Sequence, residues 1–514
     1  MAVPILAAVA SNAALWTFLV YTVGVFIIAA VSHRLMQRKS FLGEYFLGSR
    51  SLGMWAFALT FAATSASGGT FTGFPAKIYS HGWILALWIA SYMVYPLCTM
   101  GILGKRINQV ARKSGAITVP DVLRDRFDSP SFGLVSTSLI LFFLSVNMIA
   151  QFKAGAVILE ALVQDTELFQ TLRGWVGEQI AGVSFFAGVQ PGYLVCLLLF
   201  GLSVIAYTTY GGFHAVVWTD VLQGIVMVAG VLIMLPLAIS QVGGMEAGTR
   251  KLGQLNPPVT TVATLTWKHA PEQMLWHLTP GFYALANTEG ELSIYELRSP
   301  VILEPEVPVE KVLLLKYQDD ESNLPATASS SGEYPDVVVT EIRGDRRDFV
   351  TGPGPSSTSL DGFLPLGMAI SFYFMWAISG TGQPQYWVRL MAFKDSPTLR
   401  RAIITVTLYY GMIYFPLVII FCFARVLIPG MDHEADKIMP TMAVTLTANA
   451  GVPWLAGLLI AAPFAAVMST VDSYLLVISS SAVRDIYQRT INPNVGERTI
   501  KRLTFLTTLA VGAV

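Results

Sequence analysis

Residues Leu459–Tyr487 read LIAAPFAAVMSTVDSYLLVISSSAVRDIY, and this stretch decides the fold. It is long and apolar enough to cross a bilayer as a helix, yet Ser469, Thr470, Asp472 and Ser473 sit in its middle. Hydrocarbon offers these oxygens no partner, and a carboxylate at mid-membrane costs about 2.5–3.5 kcal/mol even on the lenient insertion scale. The groups must therefore face protein, water or a bound cation. Adjacent Ser and Thr hydroxyls supply two hard oxygen ligands to an ion the size of sodium, so the remaining ligands must come from elsewhere in the chain.

A second stretch supplies that elsewhere. Thr60–Gly73 reads TFAATSASGGTFTG, with no Leu, Ile or Val, inside a span of roughly 52–80. Paired Gly68 and Gly69 among small hydroxyl residues suit a helix that breaks at membrane depth, where irregular backbone survives only if it lines a cavity or is buried in protein. Carbonyls freed by such a break are the usual partners of a transported cation. Each stretch alone also fits a small-residue helix-packing face; the two together favour a site.

Composition sets the class. Of 514 residues, 54% are hydrophobic and only 13% are charged, with zero net charge and mean hydropathy +0.57. That is an integral membrane protein of many helices, and nothing supports nucleic-acid binding. Cys98, Cys196 and Cys422 lie in apolar runs, with neither a disulfide framework nor metal-ligand spacing. The six histidines are scattered and read as structural or surface residues.

Apolar runs predict spans over about 13–32, 53–80, 82–104, 132–163, 192–210, 214–240, 362–386, 401–428 and 452–484, with a tenth starting near 501. Basic residues alternate between loops. Arg34, Arg38, Lys39 and Arg50 precede the second span; Lys105, Arg106, Arg112, Lys113, Arg124 and Arg126 follow the third; Arg389, Lys394, Arg400 and Arg401, then Arg484, Arg489, Arg498, Lys501 and Arg502, come later. The positive-inside rule makes these loops cytoplasmic, with the N-terminus outside on an uncleaved span.

Two outside segments carry structure of their own. Leu168, Leu172, Trp175, Val176 and Ile180 recur at helical spacing, as in a short helix lying at the membrane interface. Residues 241–360 are polar and Pro-bearing. Within them GELSIYEL, EKVLLLKY and PDVVVTEI alternate as strands do, while SNLPATASSSGEYP reads as disordered. The expectation is a small, irregular, weakly structured β insertion with no nucleophile–base grouping and no phosphate loop.

Five motifs carry a resemblance: GEYFLGSRSLG (43–53), ITVPDVLRDRF (117–127), YGGFHAVVWTDVLQG (210–224), GQPQYWVRLMAFKDS (382–396) and AAPFAAVMSTVDS (461–473). Together they resemble the sodium:solute symporter family, most of all its bacterial pantothenate and proline branch. The resemblance implies a leucine-transporter-type bundle of two inverted five-helix repeats preceded by one extra helix. The chain then divides into 1–36 (extra helix), 52–240 (first repeat), 241–360 (extracellular insertion) and 361–514 (second repeat). The first helix of each repeat is the broken one, which places the second break in Trp376–Gly382, WAISGTG. Residues 503–514 would span only about 18 Å against a hydrocarbon core of roughly 30 Å. The second repeat is therefore expected to be cut in its fourth helix, and the chain to transport poorly by itself.

Carried over by position, the family's sodium ligands fall on the carbonyls of Ala63, Ala66 and Ala466 and the hydroxyls of Ser469 and Thr470. These are five neutral oxygens, suited to a hard monovalent cation that must also be released. Asp220 matches a family acidic position, and there it is either a second cation or gating site or a helix-start carboxylate satisfied by backbone amides. Asp472 either hydrogen-bonds within the core or adds charge to cation or substrate binding. Candidate solute contacts are Ser67, Thr70, Asn147, Gln151, Trp376, Ser379 and Gln383. Asn147 and Gln151 lie one turn apart and are expected to share a face. Arg389 reads as a gate or positioning residue at the cytoplasmic end of its span.

The implied function is sodium-coupled uptake of a small organic solute by alternating access, pantothenate or another small carboxylate being favoured. The protein would sit in the plasma (inner) membrane, with sodium as coupling ion, no cofactor and no enzymatic activity. A symporter-like sensor or receptor domain is the alternative.

Overall fold

The computed structural model describes residues 12–34, 41–164, 166–183, 186, 188–255, 259–268, 275–297, 299–317, 332–345, 349–354, 364–432 and 434–513. Arg38, Lys39, His269, His433, the first two residues of the seventh expected span and most of SNLPATASSSGEYP lie outside them.

Seventeen α-helices follow one another among the described residues. They are α1 (Asn12–Arg34), α2 (Phe41–Leu47), α3 (Met54–Ser65), α4 (Phe74–His81), α5 (Ala86–Ala90), α6 (Lys105–Ser114), α7 (Val119–Phe127), α8 (Pro130–Val163) and α9 (Glu167–Ile180). Then come α10 (Pro191–Val242), α11 (Met245–Gln254), α12 (Leu366–Ser379), α13 (Pro384–Ala392), α14 (Ser396–Leu427), α15 (Ile438–Asn449), α16 (Leu455–Ser480) and α17 (Glu497–Ala513). Six helical runs are long and apolar enough to cross a membrane. Helix α16 is buried along nearly all its length and packs against α1, α8, α10 and α15, so it is the axis of the bundle.

The outer helices are apolar on both faces. On α1, Phe18, Tyr21, Val25 and Ala29 are buried at helical spacing, while Trp16, Val20, Val23 and Ile27 are exposed. A helix apolar all round belongs in lipid. Its inner face meets α16 with backbone almost on backbone: a Cβ on Gly457 would stand 1.9 Å from Ala14 O and 3.1 Å from Phe18 N. Gly457→Ala must push α1 outward, an overpacking cost of about 1–3 kcal/mol. It should lower the melting temperature of the purified protein, whereas Gly174→Ala on exposed α9, where a Cβ meets nothing within 4 Å, should not.

Helix α10 has 52 residues, which would reach about 78 Å if straight, more than twice a hydrocarbon core. Gly212 divides it with φ 59° and ψ −162°, and a Cβ there would strike the Tyr45 ring at 2.6 Å, so only glycine fits. The two spans expected over 192–210 and 214–240 thus run end to end through one kink. The span expected over 82–104 is less regular: 3-10 turns at Gly82–Leu85 and Ser91–Met93 and a π-helical stretch at Leu97–Gly104 interrupt it. Helix α14 begins where the exposed Asp395 carboxylate accepts the Thr398 amide at 2.9 Å; that bond holds its pKa below the ordinary value.

Both expected breaks are present. Helix α3 stops at Ser65, Ala66 is extended (φ −78°, ψ 101°), and a π-helical turn at Gly69–Gly73 leads into α4. Helix α12 stops at Ser379, a 3-10 turn covers Gly380–Gly382, Gln383 is extended, and Pro384 starts α13.

The insertion corrects an expectation, because it is neither irregular nor weakly structured. Among the described residues seven strands occur: β1 (Val259–Trp267), β2 (Trp276–Leu278), β3 (Gly281–Asn287), β4 (Leu292–Leu297), β5 (Val301–Leu303), β6 (Val309–Tyr317) and β7 (Gly332–Asp345). Five of them close a barrel in the order β1-β6-β4-β3-β7, antiparallel except for the β3–β7 pair. Leu265, Leu285, Tyr295, Leu297, Leu314 and Val339 belong to its separate core. Closure pairs β1 with both β6 and β7, contacts far apart in sequence that strand periodicity does not signal. It also removes the sheet edges that a loose insertion would expose.

Candidate ion and solute site at the helix breaks

Four of the five expected sodium positions meet. Ser469 Oγ donates to Ala63 O at 2.9 Å and to Ala466 O at 3.0 Å. Thr470 Oγ1 donates to Ala466 O at 3.0 Å and reaches Thr64 O at 3.5 Å. One turn on, Ser473 Oγ lies 3.2 Å from Thr64 Oγ1. The fifth position, Ala66, is the extended residue at the break. The Thr70 amide, which in a continuous helix would take the Ala66 carbonyl, goes to Ser67 O at 2.9 Å instead. Neutral carbonyl and hydroxyl oxygens from α3 and α16 therefore converge in a fully buried place. That donor set fits a hard monovalent cation.

The helix-start reading of Asp220 is corrected. It lies eight residues beyond the Gly212 kink, inside α10, and not at a helix start. Its Oδ2 accepts Arg389 Nη2 at 2.8 Å and Thr60 Oγ1 at 2.5 Å, so its partners are a guanidinium and a hydroxyl, not backbone amides. Arg389 lies in the last turn of α13. It is 1% exposed, and its other donors go to Thr60 O, Gln385 O and Ser473 Oγ. One guanidinium thus ties α3, α10, α13 and α16 together beside the hydroxyl cluster. Asp472 hydrogen-bonds within the core, accepting Tyr207 Oη and Thr208 Oγ1 from α10.

The expected solute residues divide. Gln151 is buried and its Oε1 accepts the Gly68 amide at 2.8 Å, while Thr70 Oγ1 lies 3.2 Å from Tyr414 Oη. Ser67 Oγ accepts the Gly69 amide at 3.1 Å. Trp376 packs on Tyr92, Trp88 and Phe74 with centroids 5.3–6.4 Å apart, and Gln383 Oε1 accepts Gln385 Nε2 at 2.6 Å. Asn147 and Ser379 are exposed; Ser379 ends α12 at the edge of the second break. The inward stripe of α8 is Leu144, Met148, Gln151 and Gly155, and Asn147 falls beside it, so one helical turn did not give a shared face.

Periodicity passed over a tyrosine shell. Tyr414 stacks on Tyr92 at 4.2 Å, Tyr410 Oη bonds Ser65 Oγ, and Tyr95 and Tyr386 pack alongside. The visible signal is LYYGMIY (408–414), which puts Tyr410 and Tyr414 one turn apart in an apolar helix.

The motifs at 43–53 and 382–396 also meet at one end of the bundle. Leu52 N donates to Ala392 O at 3.2 Å and Lys394 N to Leu52 O at 3.1 Å, joining the foot of α3 to the end of α13. Asn108 and Arg112 on α6 donate to carbonyls of both strips. Asp121 is paired with Arg484 at 3.0 Å and Arg489 at 2.8 Å, and Tyr45 Oη donates to Thr209 O at 2.9 Å.

A bundle of apolar helices, broken twice and with neutral oxygens gathered at the first break, defines a multi-pass membrane transport protein. The sodium:solute symporter family model matches residues 45–166, 180–286 and 338–514, and the chain belongs to that family, whose members are transporters and not enzymes. Among similar proteins, the sodium/pantothenate symporter of Haemophilus influenzae is 26% identical over 471 residues, 91% of this chain and 71% of that one. The sodium/pantothenate symporter of Escherichia coli is 26% identical over 499 residues, 96% of this chain and 76% of that one. The sodium/proline symporter of Haemophilus influenzae is 25% identical, covering 97% of this chain and 75% of that one. A solved structure, the substrate-bound outward-open state of a Na+-coupled sialic acid symporter, superposes with a TM-score of 0.58 at 18% identity. It covers 98% of this chain and 79% of that one, and shows the shared fold. The stretch between the last two matched ranges, 287–337, holds β4, β5, β6 and the start of β7, while β1 and nearly all of β3 lie in the matched part.

Proposed function

We propose that this chain couples sodium movement down its gradient to uptake of a small organic solute by alternating access, with small carboxylates such as pantothenate the favoured class. The observation that carries this is the meeting of Ser469 and Thr470 with the Ala63 and Ala466 carbonyls beside the Ala66 break. On sodium binding, the two hydroxyls turn their lone pairs to the ion and release the carbonyls they now hold. Ala63, Ala66 and Ala466 complete a five-oxygen shell, weak enough for release because none of its members is charged.

In the same proposal 52–240 and 361–514 form inverted repeats, 1–36 adds one helix, and 241–360 projects outside a plasma membrane whose inner face carries the basic loops. Gln151, Ser67, Thr70, Trp376, Gln383 and the tyrosine shell surround the solute between the two breaks. Asp220 and Arg389 form a fixed pair that aligns the helices.

The test is uptake of a panel of labelled carboxylates and amino acids into liposomes bearing the purified protein. At least one should accumulate, slowly, under an inward sodium gradient and stop accumulating when choline replaces sodium. Accumulation indifferent to sodium would sink the proposal.

A further inference from the structure

The β barrel is joined to the bundle at a point no ion or solute reading uses. Arg425, near the end of α14, is 1% exposed, and its guanidinium lies between two rings, Tyr79 of α4 and Phe349 just beyond the barrel, each 4.8 Å away. Nη1 donates to Asp432 Oδ2 at 2.5 Å. On the barrel side, Tyr317 Oη donates to Glu296 Oε2 at 2.7 Å and reaches Asp432 Oδ2 at 3.5 Å. Burial, then the Asp432 and Glu296 carboxylates, push the Tyr317 phenol up, so it remains a donor.

Phe349 is also seated by its backbone. Trp83 N donates to Phe349 O at 2.8 Å, and Gly82 ends α4 at φ 70°, where a Cβ would lie 2.1 Å from that carbonyl. Only glycine lets the segment after the barrel lie so close to the end of α4. Tyr79 completes the tie, donating to Ile428 O at 2.6 Å and accepting Met431 N at 3.0 Å.

The elements so joined flank the solute site. Helix α4 is the far half of the first broken helix, and α14 carries Tyr410 and Tyr414, which bond Ser65 and Thr70 on the two sides of the break. For solute to reach the site from the barrel side, α4 and α14 must part.

We infer that the barrel is a strap: through Tyr317, Glu296 and Phe349 it holds α4 against α14 and sets how often the outer path to the solute site opens. A cation held between two aromatic rings, with a buried carboxylate, gives a contact that is either made or lost. Small changes in it therefore shift the open fraction. The word "outer" rests on the proposed topology; the strap itself rests on the contacts.

The experiment uses the full chain in a Cys98→Ser background with a reporter at Gly73→Cys, where a Cβ meets nothing within 4 Å. Labelling by a membrane-impermeant maleimide is timed in sodium buffer. Tyr317→Phe and Phe349→Leu should each speed labelling about threefold, a shift of roughly 0.7 kcal/mol at 1.4 kcal/mol per tenfold. Each rate is taken per folded molecule, so a merely structural role would lower the yield and leave the rate alone. Unchanged rates in both variants would overturn the strap. A second reporter, Glu289→Cys on the exposed turn between β3 and β4, separates the two ideas. If it labels only in opened cells the topology is wrong, and the strap is still judged by the Gly73→Cys ratios in opened membranes.

Discussion

Arg389→Ala is expected to leave little folded protein in the membrane. The substitution strands the Asp220 carboxylate in the centre of the bundle with only neutral hydroxyls beside it, and takes a donor from the Thr60 and Gln385 carbonyls and from Ser473 as well. Both members of the pair are buried, at 2% and 0% side-chain exposure. Breaking such a pair costs about 3–5 kcal/mol, a large share of the roughly 5–15 kcal/mol that holds a typical domain together. Asp220→Asn should cost less, because an amide oxygen still accepts from Arg389 and Thr60. Removing both charges with Arg389→Met/Asp220→Leu should recover most of the loss, since apolar replacements of a buried pair are often neutral or stabilising. Melting of detergent-solubilised protein, followed by size-exclusion profile, reads all three. An Arg389→Ala protein that melts with the unsubstituted one would show that the pair holds nothing together.

That pair marks where sequence reasoning stopped. The break at Ala66 was legible because small residues and paired glycines inside an apolar span have few other uses at membrane depth; the one at Gly380–Gln383 followed from the resemblance, which put it in Trp376–Gly382. The hydroxyl cluster was legible because Ser469 and Thr470 stand next to each other inside an apolar run, whereas Ala63, Ala66 and Ala466 were singled out only by the resemblance. Asp220 and Arg389 are 169 residues apart, and no periodicity joins them. The available signal was chemical: two opposite charges, each alone in an apolar run, need a partner, and each is the obvious partner for the other. Asn147 failed for a geometric reason, since four residues overshoot a full turn by about 40°, enough to slip off the edge of a narrow buried stripe. The barrel was half legible. β4, β6 and β7 alternate plainly, but VTTVATLTW and GFYALAN, rich in Thr, Ala and Gly, became strands through pairings with distant partners.

Removing the two hydroxyls in Ser469→Ala/Thr470→Ala should raise the sodium concentration needed for half-maximal response by well over tenfold. Each lost oxygen ligand is comparable to a hydrogen bond left unmade in a buried place, about 1–3 kcal/mol, and 1.4 kcal/mol is a factor of ten. The two are neighbours on one turn and share the Ala466 carbonyl, so the double loss need not equal the sum. Solute affinity at fixed sodium should fall with it, because binding free-energy coupling is reciprocal. Structural damage is distinguishable from ligand loss. Thr470→Ser keeps the oxygen and loses only a methyl, so it should bind sodium nearly normally, whereas Thr470→Ala leaves an equally buried site one ligand short. Sodium-induced stabilisation against heating reads binding without requiring turnover: bound ion raises stability by RT ln(1 + [Na+]/Kd), so a weaker site moves the whole curve to higher sodium. Potassium at the same ionic strength is the control, since a general salt effect would stabilise both proteins alike. If the double variant and the unsubstituted protein respond to sodium along the same curve, the ion is not held by Ser469 and Thr470, and the ligands must be sought elsewhere in the bundle.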